Sequence, residues 1–333
     1  MFTYGKTILP DRALLLAPME DVSDHPFRQL CKSYGADFTT TEFITSDGLV
    51  RGINQIIQKT SLKPIDHPIA IQLYGNDLPT MVEAAKIAEQ FEPDHLDLNF
   101  GCPVKKIATR GGGSGMLRDI PKLLAITKSI IDAVSLPVTV KTRIGWDDKD
   151  IVIYELAEAL QDIGVQAITL HGRTRDQLYS GFANWEVIGR VKNNPRLKIP
   201  LIGNGDIDTG PKAKEAFEKY GVDGIMIGRG AIGNPRIFKQ IRHFLDTGEQ
   251  LPELTVNEQI LLLKKMIEAA IDYKNEKSGI LHMRRHLAVN FRNIHDFRPL
   301  RIKMLRAGTK EELWNVFDEI AIHTQNYSHP ETL

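Results

Sequence analysis

Two cysteines in 333 residues are too few for a disulfide framework or a cysteine-rich zinc site. No apolar run reaches the length needed to cross a bilayer, and residues 1–11 lack the basic and apolar regions of a secretion signal. The expected setting is therefore a reducing cytosol, away from membranes. Nor is there an excess of either charge. Lys+Arg and Asp+Glu number 42 each, so net charge names no partner and only its distribution can. No early strand-like run leads into the spaced-glycine loop of a dinucleotide-binding sheet. What is present is 42% apolar and 25% charged, the balance of a folded soluble chain, and it is long enough to bury a large core.

Eight short apolar runs read as strands: Ala13–Pro18, Phe38–Glu42, Ile69–Gly75, His95–Phe100, Val138–Arg143, Ala167–Gly172, Pro200–Gly205 and Gly224–Arg229. Between most of them lie stretches of helical length. Met81–Phe91, Pro121–Val134, Ile151–Ile163 and Lys212–Tyr220 carry apolar residues at three- and four-residue spacing. Alternating strands and helices build right-handed βαβ units, and eight of them predict a (β/α)8 TIM barrel, with a doubly wound open sheet as the alternative.

Such barrels place their chemistry at the C-terminal ends of the strands. Those ends supply Met19, Glu42, Gln72, Asn99 with Cys102, Lys141 with Arg143, His171, Asn204 and Arg229, while the strand starts are mostly bland. Alone, Lys141 reads as a solvated edge charge and His171 as a structural histidine; their shared position gives them a pocket role. Cys102 sits between Gly101 and Pro103, neither of which favours regular structure, so it belongs on a shaped loop rather than in a packed face. Lys105 and Lys106 follow it. Cys31, beside Phe27, Leu30 and Tyr34 on an amphipathic helix, reads as core. Gly203–Asp206 after strand seven and Gly228–Gly230 after strand eight fall where barrels commonly bind phosphate, and Arg229 adds a planar charged donor.

After Gly248 the alternation stops. Thr255 and Glu258 form a capping-box pattern ahead of a periodic run from Ile260 to about Tyr273, and further helical sequence starts near Gly279 and Lys310. The stretch Lys277–Lys310 holds nine Lys/Arg against one acid, Asp296, interleaved with Phe291 and Phe297. A solvated helix face usually mixes signs, so this bias favours contact with a polyanion. Two regions are expected: a barrel over 1–247 and a small all-helical domain over 248–333.

Taken together, Ala17-Pro18-Met19, Asn99-Phe100-Gly101-Cys102-Pro103, Lys141-Thr142-Arg143, His171-Gly172-Arg173-Thr174, Asn204-Gly205-Asp206 and Gly228-Arg229 resemble the tRNA-dihydrouridine synthases, with the bacterial B-type branch nearest. Two departures stand out: Glu20, where a small residue is usual, and the glycine run Gly111-Gly112-Gly113. The resemblance implies FMN in the barrel mouth. Pro18, Met19 and Glu20 would line it through their backbone, Gln72, Lys141 and His171 would meet the ring and ribityl chain, and Asn204, Gly205, Asp206, Gly228 and Arg229 would hold the phosphate. It implies NADPH as reductant, a D-loop uridine of tRNA as substrate, and Cys102 as proton donor, with no metal. Asn99, Lys105, Lys106, Arg143, Arg173, Arg175, Arg284 and Arg285 would bind the substrate. A monomer is expected, and a chain ending near Gly248 should keep its flavin site. A reductase of a small enone, or a non-catalytic RNA-binding barrel, are the alternatives.

Overall fold

The computed structural model describes residues 1–328; positions 329–333, the end of the helical segment expected over 248–333, lie outside them. Eight parallel strands follow one another around a ring: β1 Ala13–Leu16, β2 Thr39–Thr40, β3 Ile69–Tyr74, β4 His95–Phe100, β5 Val138–Arg143, β6 Ile168–His171, β7 Leu201–Asn204 and β8 Gly224–Ile227. β8 pairs back onto β1, and a parallel bridge between Leu15 and Phe38 joins β1 to β2, so the sheet closes into the expected barrel. β2 is shorter than the run Phe38–Glu42. The chain leaves the sheet after Thr40 and regains it at Ile44–Thr45, against the top of β3. In the gap the Thr41 N–H still donates to the Ala70 carbonyl (2.9 Å), and side chains add to it: Thr41 Oγ1 accepts from the Gln72 N–H (3.1 Å) and Glu42 from the Asp21 N–H (2.6 Å).

The period of two decides what each strand offers. Leu14, Leu16, Ile71, Leu73, Leu96, Leu98, Val138, Val140, Ile168 and Leu170 belong to the large core under the surrounding helices. Leu15, Ala70, Ile202 and Met226 fall in a second, smaller cluster with Phe38, Tyr4 and Leu9. That second cluster plugs the lower end of the barrel. A hairpin of Phe2–Tyr4 and Thr7–Leu9 supplies it, turning at Gly5 with φ +61°. The ring of Tyr4 meets Phe38 edge-on at 5.1 Å and His95 at 5.0 Å. Two three-residue strands are too short for periodicity to reveal, and the hairpin is absent from the sequence expectation. Its effect is to leave only the upper end open.

Seven longer helices wrap the barrel: α1 His25–Ser33, α2 Leu78–Glu89, α3 Ile120–Ala133, α4 Ile153–Asp162, α5 Trp185–Lys192, α6 Gly210–Glu218 and α7 Ile237–Thr247, with the shorter helices Ser46–Val50 and Asn54–Thr60 in the place after β2. Side chains of Asp24, Asp77, Asp119, Asn184 and Thr209 cap α1, α2, α3, α5 and α6 by accepting an orphan N–H of the first turn. The caps, with proline in the first turn of α2, start that helix three residues before the apolar run suggests. Cys31 is fully buried, as expected. Four more helices follow: α8 Val256–Lys274, α9 Glu276–Leu287, α10 Arg298–Arg306 and α11 Lys310–Ser328. The capping box of Thr255 and Glu258 forms. α8 and α9 pack as a hairpin, and α8 lies on α1 of the barrel. Gly279 permits the hairpin: a Cβ there would come within 2.8 Å of the Ala270 carbonyl carbon.

Candidate active site

A cleft of about 880 Å³ opens at the C-terminal ends of the strands. Cys102 lies in its wall, 7% exposed. Its loop is held from both sides. Asn99 Oδ1 accepts from the N–H groups of Gly101 (3.0 Å) and Cys102 (2.8 Å). The Cys102 carbonyl accepts from Ser114 N–H (3.1 Å) and Oγ (2.8 Å). This explains the glycine run. Gly113 has φ +52°, and a Cβ on it would sit 2.8 Å from the Cys102 carbonyl oxygen and 2.9 Å from the Cys102 Cβ. Burial pushes the Cys102 thiol above its ordinary range, against smaller opposing effects of the Val104 N–H and of Arg143 and Lys141. Lys105 and Lys106 are exposed on the short helix Lys105–Ala108 and do not line the cleft.

Successive inward positions at the tops of β5, β6 and β7 bring together Lys141, Arg143, His171 and Asn204. Lys141 donates to Asn204 Oδ1 (3.2 Å), and Asn204 Nδ2 donates to the Met226 carbonyl (2.7 Å). Burial, then the neighbouring Arg143, lowers the Lys141 ammonium to about 8. Burial also lowers Arg143, to about 10; its guanidinium donates to the carbonyls of Gly101, Thr174 and Leu178 at 2.8–2.9 Å. His171 is held well below the usual imidazole range by burial and then by four cations. It is neutral, and the Arg173 Nη1 donor at 3.2 Å makes Nε2 its acceptor, leaving the proton on Nδ1.

The loops after β7 and β8 meet at the cleft, and Asp206 is among the residues that line it. Asp206, at φ +58°, takes both Arg173 Nη2 (2.8 and 2.9 Å) and Arg229 Nη2 (2.7 Å). Burial alone would raise its carboxyl; the Ala183 N–H and Arg173 overcome that and hold it below the ordinary range. The Asp206 side chain therefore positions cations. Arg173 is only 1% exposed, so it is not the surface cation that the sequence suggested for substrate. Its charge is taken up by Asp206, in the loop after β7. Gln72 is another difference. It is fully buried, bonded to Asp97 and Asn99, and does not line the cleft.

Pro18, Met19, Glu20, Asn99, Gly205, Gly228 and Arg229 do line it. Glu20 is held by Lys59. Arg175 stacks over Trp146 at 4.7 Å, outside the cleft. The helical region reaches the cleft through Arg285, Val289 and Arg292, whereas Arg284 does not line it. Arg285 donates to the Glu20 carbonyl and to Asp21 Oδ2, both at 2.9 Å. Reading the sequence missed Tyr179, Phe43 and Arg292. The Tyr179 ring lies 5.7 Å from the Arg143 guanidinium and 5.2 Å from that of Arg229. No periodic pattern marks that loop. Glu20, Asp21 and Glu42 bring carboxylate oxygens within 4.8 Å of one another, but Lys59 and Arg285 already neutralise them.

The fold and cleft define a (β/α)8 barrel whose open mouth joins a buried thiol to a set of cations. A model of the Dihydrouridine synthase (Dus) family matches residues 15–326, and the chain belongs to that family. It is 42% identical over 275 residues to a probable tRNA-dihydrouridine synthase of Rickettsia bellii, covering 82% of this chain and 84% of that one. It is 38% identical over 307 residues to tRNA-dihydrouridine synthase B of Pseudomonas aeruginosa, covering 91% and 90%. Among solved structures, a 2-naphthoyl-CoA reductase (TM-score 0.55, 9% identity, 73% of this chain and 51% of that one) shares the fold. So does histamine dehydrogenase from Rhizobium sp. 4-9 (TM-score 0.55, 12% identity, 86% and 50%). The chain spans about half of each of those two proteins. No helix among the described residues is long and apolar enough to cross a membrane.

Proposed function

We propose that this chain reduces the C5=C6 bond of a D-loop uridine in tRNA to 5,6-dihydrouridine, with FMN as cofactor and NADPH as reductant. The observation that carries the reading is a buried thiol, Cys102, in one cleft with Lys141, His171 and Arg229. The cleft suits a flavin mononucleotide. Its volume of about 880 Å³ is ample, and Ala17, Met19 and Met226 give it apolar wall. Lys141 makes one protein hydrogen bond and keeps further donors for a ligand. Arg229 offers a guanidinium beside the glycines of both phosphate loops.

When bound, FMN would supply the hydride for C6 and be reduced again by NADPH. Cys102 would give its proton to C5. Burial suits that role by keeping sulfur protonated at neutral pH. Lys141 would stabilise negative charge on the reduced ring. A stacked base cannot enter a cleft of this kind, so the uridine must leave its stack. Arg285 and Arg292 at the rim, with the exposed Lys105 and Lys106, would meet phosphate. The barrel over 1–247 thus carries the chemistry and the helical region over 248–333 most of the RNA contact, as a cytoplasmic monomer.

A reductase of a small enone would need no cations reaching from the helical region into the rim. A non-catalytic barrel would need no thiol in the cleft. The deciding experiment compares NADPH oxidation on tRNA lacking dihydrouridine with that on free uridine at equal uridine concentration. Turnover on tRNA with little on uridine is expected. Comparable rates would replace this reading with the small-molecule one.

A further inference from the structure

We propose that Asp97 and Gln72 are positioning residues for Cys102, acting through Asn99. The kinetic consequence rests on the proton-donor reading above; the geometry does not.

The reasoning starts at the backbone. Two N–H groups, of Gly101 and Cys102, converge on one end of the Asn99 amide at 3.0 and 2.8 Å. Only an oxygen can accept both, so the orientation of that amide is not free. Asn99 Nδ2 must then face Gln72, which presents Oε1 at 2.8 Å. Gln72 in turn must aim Nε2 away, and it meets Asp97 Oδ2 at 2.6 Å. The other Asp97 oxygen takes the Thr139 hydroxyl at 2.6 Å. Every donor in the chain therefore points toward Asp97, and the barrel register lines the groups up: Gln72 is opposite Asp97, and Asp97 opposite Thr139.

Three of these groups are sealed from water, and Asn99 reaches it only at the cleft wall. Gln72, Asp97, Asn99 and Thr139 are 0%, 3%, 6% and 1% exposed. An acceptor at position 97 thus fixes the sense of the whole chain. Without it, Gln72 can turn its amide over and point N–H at Asn99. Asn99 would then have to aim its own N–H at two backbone N–H groups, and the Cys102 loop would lose its anchor. A buried group left unpaired is costly enough to move the loop instead. This gives Gln72 a task beneath the site.

The test uses the FMN-loaded full chain. It follows alkylation of Cys102 by iodoacetamide with peptide mapping, the buried Cys31 serving as internal control, together with FMN affinity, reduction by NADPH and product formation on tRNA. Gln72→Met, matched in shape, should raise Cys102 alkylation about tenfold as the loop loosens and slow product formation about tenfold, one hydrogen bond's worth. FMN affinity and reduction by NADPH, read on the same samples, separate loosening of the loop from loss of cofactor. Asp97→Ala should do the same to alkylation, while Asp97→Asn, which keeps an oxygen for Gln72 and offers its amide N–H to the Thr139 hydroxyl, should bring alkylation back near wild type. Thr139→Val lowers stability but leaves the sense of the chain, so alkylation should not move. If Asp97→Ala fails to fold, Gln72→Met carries the test. Unchanged Cys102 alkylation in Gln72→Met, with or without weakened FMN binding, overturns the proposal. The expected alkylation shifts in a chain that never reduces tRNA would support it and sink the functional reading instead.

Discussion

At the residue scale, Cys102 and Lys141 have opposite displacements with one cause. Burial disfavours the charged form of each, so the thiol titrates above its ordinary range and the ammonium at about 8. The sign for activity follows. In the proposed mechanism both groups act in their protonated form, so each would lose its function as pH rises, and Lys141 would do so first. Single-turnover dihydrouridine formation should fall through about pH 8. Lys141→Met should lower the plateau and remove that limb, leaving a decline at higher pH from Cys102. A profile that keeps its break near pH 8 in Lys141→Met would assign the titration elsewhere. Cys102→Ala should retain flavin reduction by NADPH while turnover on tRNA collapses; near wild-type product would end the acid assignment. Gly113 is the steric counterpart. Its positive φ and its approach to Cys102 leave no room for a Cβ, so Gly113→Ala should cost about 1–3 kcal/mol in denaturant unfolding and disturb the thiol. An unchanged midpoint would mean that the loop accommodates it.

At the element scale, the helical region props the loops of the cleft. His286 of α9 accepts the Gly233 N–H (3.0 Å), and Asn290 donates to the Gly233 carbonyl (3.3 Å), holding the segment after β8. Arg285 holds the segment after β1 through Glu20 and Asp21. These are the loops proposed to line the flavin. A chain ending near Gly248 should therefore keep a flavin site that binds FMN more weakly. The gentler double variant His286→Ala with Asn290→Ala should weaken FMN binding several-fold, since each substitution removes a hydrogen bond of about 1 kcal/mol. Titration of apo-protein with FMN reads it directly, and unchanged affinity would show that the clamp is incidental. Arg229→Ala should weaken FMN through loss of a charge-assisted contact of about 1.5–3 kcal/mol.

At the scale of the whole molecule, zero net charge hides a sorted distribution. Several of the nine cations between Lys277 and Lys310 are already paired: Arg285 with Asp21, Lys303 with Glu319 and Lys310 with Glu268. Pairing with distant acids lowers the number available to phosphate. With about four contacts, the log of tRNA affinity should fall against log salt with a slope of roughly −3, while FMN stays bound. Affinity indifferent to salt would remove the helical region from the RNA interface.

The sequence by itself determined the barrel, because eight strand-length runs alternating with amphipathic stretches leave few ways to bury both faces of a parallel sheet. It also determined which polar residues crowd the mouth, because the period of two puts every second residue of a strand inside and strand ends are marked by glycine and proline. Cys102, Lys141, His171, Asn204 and Arg229 were legible on that basis. Tertiary structure alone decided how they are divided between ligand and support. Arg173 and Gln72 occupy strand-top positions like the others, yet Asp206 draws one under the loop after β7 and Asp97 draws the other below the Cys102 loop. Both partners lie far off in the chain, and burial makes such pairings compulsory where an exposed side chain would simply meet water.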